Sequence, residues 1–189
     1  MQQDHCKGIT GERNVRKTDW KQKGFSLIEL LIVVAIILII AAIAIPNLLR
    51  ARMAANESSA AASIRSVTVA EVAYSSSYPT IGYASQIQDL GRTVPCTPAP
   101  TSACLLDNNL ALAVPGSAGH SGYQFLATGI NSGSAINSAF VVGATPITTS
   151  RTGSRDFCSV TDGALRSQPA AGGVPPNALA PCLAFAIVQ

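Results

Sequence analysis

Four cysteines in the C-terminal half of the chain are the residues whose spacing most clearly predicts chemistry. They are Cys96, Cys104, Cys158 and Cys182. An even number of cysteines suits two disulfides in an oxidising compartment. A metal site would require Cys-x-x-Cys spacing or help from histidines, whereas the spacings here are 8 and 24 and the histidines are His5 and His120. Three pairings are possible, and we favour Cys96 with Cys104 and Cys158 with Cys182 because short loops close more easily.

No other constellation predicts catalysis or metal binding. Gly119-His120-Ser121-Gly122 lacks the G-x-S-x-G spacing of a nucleophile elbow and is interpreted as a flexible loop. The Asp residues after position 25 are scattered, without the alternating ligands of a calcium loop. Asn56-Glu57-Ser58 matches a glycosylation sequon, which we attribute to chance because it lies on a predicted helix. The sequence therefore predicts no enzymatic activity, no metal and no cofactor.

The composition is low in charge. Of the 189 residues 48% are hydrophobic and 12% are charged, against about 25% charged in typical soluble domains. This composition argues against a charged disordered chain and against a nucleic-acid binder. Residues 1–24 carry six basic and three acidic residues, which account for the whole net charge of +3, and the remainder is neutral and lacks lysine. We therefore expect no strong attraction of a single copy of this chain to nucleic acid.

An apolar segment covers residues 25–45, where Ser26 and Glu29 are the only polar residues. As a helix of 21 residues it would be about 31 Å long, enough to cross a bilayer. The six basic residues before it outnumber Arg50 and Arg52 behind it, which predicts a cytoplasmic N-terminus. The bulk of the chain would then be exported.

Two ordinary explanations of this segment are a membrane anchor and a cleaved secretory signal. Ala42-Ile43-Ala44 offers the small-x-small pattern that signal peptidase requires. Glu29 argues against both, because a carboxylate inside a bilayer is costly and by default indicates function. The helical pattern also continues beyond Pro46, at which a kink is expected, into an Ala-rich stretch.

Residues 46–77 are predicted to form an amphipathic second half of the same helix. Ile64, Val67, Ala70 and Tyr74 follow one another at steps of three and four and would pack beneath a globular domain. The helix should end near Ser75–Pro79. Its charged side chains either form a solvated face or make subunit contacts; they are Arg50, Arg52, Glu57, Arg65 and Glu71.

Residues 78–189 are predicted to form a head of α+β class. Strands are expected at Tyr123–Thr128 and Ala139–Ala144. A hairpin is expected from Asp156 to Ser167, because Asp162-Gly163 is a strong turn signal. Together they predict an antiparallel sheet of three or four strands against the helix. The segment 168–189 is predicted as a surface loop tied back by Cys182.

The segment Lys23-Gly24-Phe25-Ser26-Leu27-Ile28-Glu29-Leu30 and the apolar run after it resemble the processing and assembly signature of the type IV pilin superfamily. This superfamily includes type IV pilins and the pseudopilins of type II secretion. The resemblance extends to about Tyr78. It implies a pilin-like fold, with a long N-terminal helix, transmembrane in its first half, packed against an antiparallel sheet.

The resemblance implies a role for each matched residue. A prepilin peptidase would remove the leader 1–24 by cutting between Gly24 and Phe25, and would N-methylate Phe25. Glu29 would compensate the new α-amino group of a neighbouring subunit, since a buried carboxylate is tolerated only when it is paired. Pro46 would lie where pilin helices bend or melt in the filament.

The function implied is that of a structural subunit of a type IV pilus. Its partners would be inner-membrane lipid before assembly, the peptidase, an inner-membrane assembly platform, and copies of itself in the filament. The precursor would span the inner membrane once, and the product would be a pilus at the cell surface. A periplasmic pseudopilus that serves protein secretion is the nearest alternative, and a secreted soluble domain is the distant one.

Overall fold

The computed structural model describes residues 24–92, 94–133 and 135–188. All of the predicted leader except Gly24 lies outside these residues. The chain divides into two compact units, residues 1–42 and 43–189. The boundary falls within helix α1, Leu27–Ser77.

Helix α1 covers both stretches that the sequence predicts to be helical. Apolar and alanine residues dominate it, and its first turn carries Glu29, where a negative charge favours the helix dipole. The helix ends at Ser77 as predicted, just before Tyr78-Pro79. The amide of Tyr78 donates to the carbonyl of Tyr74 at 2.8 Å, which closes the last turn.

The second unit contains an antiparallel sheet in the order β1-β2-β3-β4-β5. Its described strands are β1 Tyr123–Ile130, β2 Ala139–Pro146, β3 Arg155–Val160, β4 Arg166–Pro169 and β5 Ala186–Ile187. Three short helical turns accompany it: a 3-10 helix at Ile87–Leu90, α2 at Asn108–Ala111 and α3 at Leu179–Leu183. The α+β class is thus confirmed, with sheet neighbours that are also neighbours in sequence.

The hairpin predicted around Asp162-Gly163 forms between β3 and β4. Gly163 has φ +72°, which glycine adopts without the steric cost that a side chain would add. Asp162 accepts a hydrogen bond from the amide of Ala164 at 2.9 Å. The Arg166 side chain hydrogen-bonds to Asp162 and, against the opposing effect of burial, lowers the pKa of that carboxyl. Turn chemistry therefore explains Asp162, as predicted.

The main core of this unit lies between α1 and the sheet. The predicted helix stripe is buried, with Ile64 and Val67 at 0% exposure and Tyr74 at 2%. Aromatic side chains of the strands cover it, namely Tyr123, Phe125, Phe140 and Phe157. Each large side chain buried in this way contributes about 1.5–3 kcal/mol, so this face decides where the sheet lies on the helix.

The C-terminal segment corrects the prediction of a surface loop and of a sheet with three or four strands. Within it, α3 and the two-residue strand β5 bring the sheet to five strands in the described part of the chain. Cys182 and Phe185 join Val141, Cys158 and Val160 in a second hydrophobic cluster. The sequence did not predict α3 and β5, because the Pro, Ala and Gly content of the segment is typical of loops and β5 is too short to show an alternating pattern.

Candidate assembly site

The apolar segment is the part of the structure that most needs a partner. From Phe25 to Ile45 every residue is exposed except Ala41, which is half-buried. Leu27 is 81% exposed and Ile43 is 67% exposed. This part of α1 is long and apolar enough to cross a membrane, with a mean hydropathy of 3.3 over its best 18-residue window and none of that window buried. A continuous apolar surface of this size indicates membrane insertion or association with other protein.

The beginning of the segment places the predicted processing residues directly before the helix. Gly24, Phe25 and Ser26 precede the first turn, and the Phe25 side chain is 76% exposed. The carbonyl of Ser26 accepts hydrogen bonds from the amides of Glu29 and Leu30, at 3.1 and 3.2 Å. The bond between Gly24 and Phe25 therefore lies in non-helical backbone, which is the form that a peptidase can bind as an extended substrate.

Glu29 is exposed on the first turn of α1. Among residues 24–92, 94–133 and 135–188, no group forms an ion pair with its carboxylate. Its assembly role stays a prediction, and this geometry leaves the carboxylate available to a second chain. Pro46 lies inside α1, whose span continues on both sides, so the bend expected there stays a prediction as well.

Two carboxylates of α1 are buried, and for them both predicted alternatives, a solvated face and subunit contacts, are wrong. Glu57 is 8% exposed and Glu71 is 0% exposed. A signal for them exists in the sequence: positions 57, 60, 64, 67, 71 and 74 alternate steps of three and four, so both glutamates lie on the buried stripe. Both glutamates lie outside the stripe predicted from the sequence, because charged residues are usually exposed.

Glu57 fastens α1 to the beginning of β3. Its carboxylate accepts hydrogen bonds from the Ser154 amide at 2.8 Å and from the Ser154 hydroxyl at 2.7 Å. It also accepts from Arg155 Nε at 2.9 Å. Burial acts to raise the pKa of Glu57, but these hydrogen bonds outweigh it and hold the pKa below its ordinary value of 4.5. The carboxylate is therefore ionised at neutral pH.

Glu71 has the opposite electrostatic environment. Burial raises its pKa to about 8, the Ala84 amide partly offsets this, and Asp89 adds to the rise. That amide donates to Glu71 Oε2 at 2.9 Å, while Oε1 is buried without a hydrogen-bond partner among the described residues. The side chain is therefore largely protonated at pH 7 and ties the helix to the loop that follows it.

The four cysteines Cys96, Cys104, Cys158 and Cys182 form two disulfides, in the pairing that we favoured. Cys96 and Cys104 are joined with their Cα atoms 6.2 Å apart, and Cys158 and Cys182 with theirs 5.9 Å apart. The second bridge connects β3 to α3 across the second hydrophobic cluster. It is the covalent attachment of the C-terminal segment to the sheet.

The remaining motifs form no reactive site in the described residues. His120 pairs through its backbone with Tyr123 in a loop turn. The Asn56 side-chain nitrogen of the sequon donates to the carbonyl of Thr152 at 2.8 Å and is therefore already engaged. No group of three or more His, Cys, Asp or Glu side chains in the described part of the chain could hold a metal ion.

Comparisons with known proteins bear on the first helix. Residues 21–45 match the family model described as the prokaryotic N-terminal methylation motif. A stretch of 35 residues is 71% identical to the type IV wide pilus major component PilA4 of Thermus thermophilus. This match covers 18% of the chain and 27% of that relative, and no solved structure matches the chain.

The family model matches the part of the chain that the structure shows as an exposed apolar helix. The methylation motif covers the cleavage and methylation positions that the resemblance implies and the whole of the exposed apolar segment. The second unit then supplies a sheet packed on the same helix. The motif and the match to a pilus component support the type IV pilin superfamily, and the long helix followed by an antiparallel sheet fits a pilin-like layout.

Proposed function

We propose that the chain is the precursor of a type IV pilus subunit. A prepilin peptidase removes residues 1–24 and methylates the amine of Phe25, and the product polymerises through residues 25–45. The observation that carries the proposal is the exposed apolar surface of α1, which lies within a methylation motif. Such a surface is stable in two environments, the bilayer before assembly and a bundle of identical helices afterwards.

Glu29 is proposed to select the correct register in that bundle. Cleavage creates a positively charged amine on Phe25, and the Glu29 carboxylate has no ion-pair partner within the described chain. In an apolar bundle an unpaired charge is strongly unfavourable, so pairing with the amine of a neighbouring copy favours one axial offset over others. The precursor is proposed to span the inner membrane once, with its N-terminus in the cytoplasm and its assembly platform in the same membrane.

A pilus is proposed in preference to a pseudopilus because the relative that is 71% identical over 35 residues is named as a major pilus component. The test has two stages in a host that supplies a prepilin peptidase and an assembly platform. Mass spectrometry of the mature chain should show N-methylated Phe25 at the N-terminus. Sheared cell-surface filaments should then contain the chain as their major protein.

Each stage can fail on its own. A mature N-terminus at Ile45, just after the Ala42-Ile43-Ala44 pattern, would show a cleaved secretory signal and overturn the superfamily mechanism for this chain. A methylated Phe25 with no surface filament, together with lost protein secretion in a deletion strain, would instead indicate the pseudopilus.

A further inference from the structure

A cleft of about 590 Å³ lies between α1 and the loop that joins β2 to β3. Leu49, Arg52 and Met53 line its helix side, and Ser150 and Arg151 line its loop side. The cleft belongs entirely to the second unit. Its lining combines two guanidinium groups with aliphatic and thioether surface.

The walls of the cleft are held in place by hydrogen bonds. Asn56 Nδ2 donates to the Thr152 carbonyl at 2.8 Å and joins the two walls directly. The loop itself is closed by Ser150 N to Gly153 O at 2.8 Å and by Thr152 N to Thr148 O at 2.9 Å. Glu57 then fixes the residue that follows the loop, Ser154. A ligand would therefore meet a preformed cavity and would not have to order the loop.

The two arginines of the cleft are free to bind an anion. Within the part of the chain that the structure describes, neither Arg52 nor Arg151 forms an ion pair, and both are exposed. The nearest acidic residue along the helix, Glu57, is engaged by Ser154 and Arg155. Arginine suits phosphate because its planar group donates two parallel hydrogen bonds.

The distribution of charge explains why the anion must come from outside the chain. Burial removes four of the seven carboxylates after residue 24 from the surface, namely Glu57, Glu71, Asp89 and Asp156. Asp162 is paired with Arg166. Asp107 is then the single exposed carboxylate of the described second unit that has no ion pair, against five arginines, Arg50, Arg52, Arg65, Arg92 and Arg151. The described surface of this unit therefore presents more unpaired arginines than unpaired carboxylates, and the same unit of a second copy offers too few carboxylates to match them.

The position of the cleft along the helix favours a lipid. Arg52 follows the last residue of the apolar segment, Ile45, by seven residues, which is about 10 Å along a helix. Long side chains on a helix point back toward its N-terminus, and an arginine can extend by several ångströms to reach the headgroup layer. Leu49 and Met53 lie on the same side and can contact the glycerol and upper acyl region.

We propose that this cleft binds the phosphate of an anionic phospholipid while the precursor is in the membrane, with Arg52 and Arg151 as the phosphate ligands. The proposal rests on the membrane-anchored precursor described above, and it adds a lipid site to it. Bound lipid would hold the second unit at the membrane surface until the subunit is extracted.

The test uses the full chain in detergent micelles, with bound lipid measured by native mass spectrometry. The probes are phosphatidylglycerol, phosphatidylcholine and inorganic phosphate at equal concentrations. We expect phosphatidylglycerol to bind at least tenfold more tightly than the other two. Arg52→Gln with Arg151→Gln should lower its affinity at least tenfold, whereas Arg52→Lys with Arg151→Lys should keep most of it.

The matched control is Arg65→Gln with Arg92→Gln, which removes the same charge from exposed arginines outside the cleft. Its affinity for phosphatidylglycerol should change less than twofold. Equal losses in the two Gln pairs would show nonspecific attraction and overturn the site. Equal binding of inorganic phosphate or of phosphatidylcholine would overturn its assignment to an anionic lipid. Filament formation is measured separately, so the lipid-binding result can be interpreted even if the pilus proposal fails.

Discussion

Glu57 of helix α1 and Arg155, the first residue of β3, form an ion pair, with 2.8 Å between Glu57 Oε2 and a terminal guanidinium nitrogen of Arg155. The two residues are 98 positions apart in the sequence. The Glu57 side chain is 10% exposed and the Arg155 side chain 47% exposed. Arg155 also lies over the ring of Phe157, 5.4 Å from its centroid. The pair joins α1 to the sheet where the β2–β3 loop meets the helix, so it fixes one wall of the proposed lipid cleft.

Glu57→Gln should destabilise the second unit by about 1–3 kcal/mol, since a buried charged acceptor of three hydrogen bonds is replaced by a neutral one. Arg155→Gln should cost less, because the half-exposed guanidinium can be replaced by water and Ser154 still hydrogen-bonds to Glu57. Urea denaturation of the full chain in detergent measures both. An equal or larger cost for Arg155→Gln would contradict the view that Ser154 supplies most of the anchoring.

Glu57 also predicts a loss of stability in acid. Its pKa is lowered in the folded chain, so its contribution is present above the ordinary value of 4.5 and is lost as the pH falls through the folded pKa. Denaturation midpoints of the wild type should therefore fall below pH 4.5 more steeply than those of Glu57→Gln. Parallel curves for the two proteins would show that this carboxylate does not determine the acid limb.

Glu71 predicts a loss of stability as the pH rises from 4.5 to about 8. Its folded pKa of about 8 lies above the ordinary 4.5, so the contribution of the protonated form is fully present below 4.5 and is lost as the pH rises through 8. The slope from this group is at most about 1.4 kcal/mol per pH unit. Glu71→Gln keeps an acceptor for the Ala84 amide and cannot ionise. Its Tm should be nearly constant from pH 6 to 9 while that of the wild type falls; a wild-type Tm that does not fall would contradict the assignment.

Glu57 and Glu71 also show which parts of this fold can be predicted from the sequence and which cannot. Periodicity and turn residues predict α1, four of the strands and the hairpin at Asp162-Gly163, because these depend on local pattern. The roles of Glu57 and Glu71 depend on donors 97 and 13 residues away, Ser154 and Ala84, which no local pattern reveals. Strand β5 depends in the same way on its pairing with β4. The cleft could not be predicted, because its lining comes from two segments about a hundred residues apart.

The disulfide between Cys158 and Cys182 should be the more stabilising of the two. It closes the longer loop, 24 residues against 8, for which chain entropy predicts about 3.5 kcal/mol against about 2.5 kcal/mol. Replacing Cys158 and Cys182 by serine should therefore lower the unfolding free energy more than the same change at Cys96 and Cys104. Limited proteolysis gives an independent measure, since α3 and β5 should become cleavable only in the first variant.

Assembly should depend on the charge of Glu29 and not on the apolar character of its position. Glu29→Val should still insert into the membrane and be cleaved after Gly24, because it lengthens the apolar run and leaves the cleavage site intact. Glu29→Gln should also insert and be cleaved, since it keeps the shape of the side chain and loses only the charge that would pair with the Phe25 amine.

Ile36→Val, a conservative change in the same exposed segment, is the matched control and should assemble normally. The measurement is the amount of mature chain in sheared filaments relative to the membrane fraction. We expect a loss of at least tenfold for both Glu29 variants, because an unpaired amine in the apolar bundle is disfavoured by several kcal/mol. Normal filament abundance for Glu29→Gln would show that shape at this position is sufficient and that the carboxylate does not set the register.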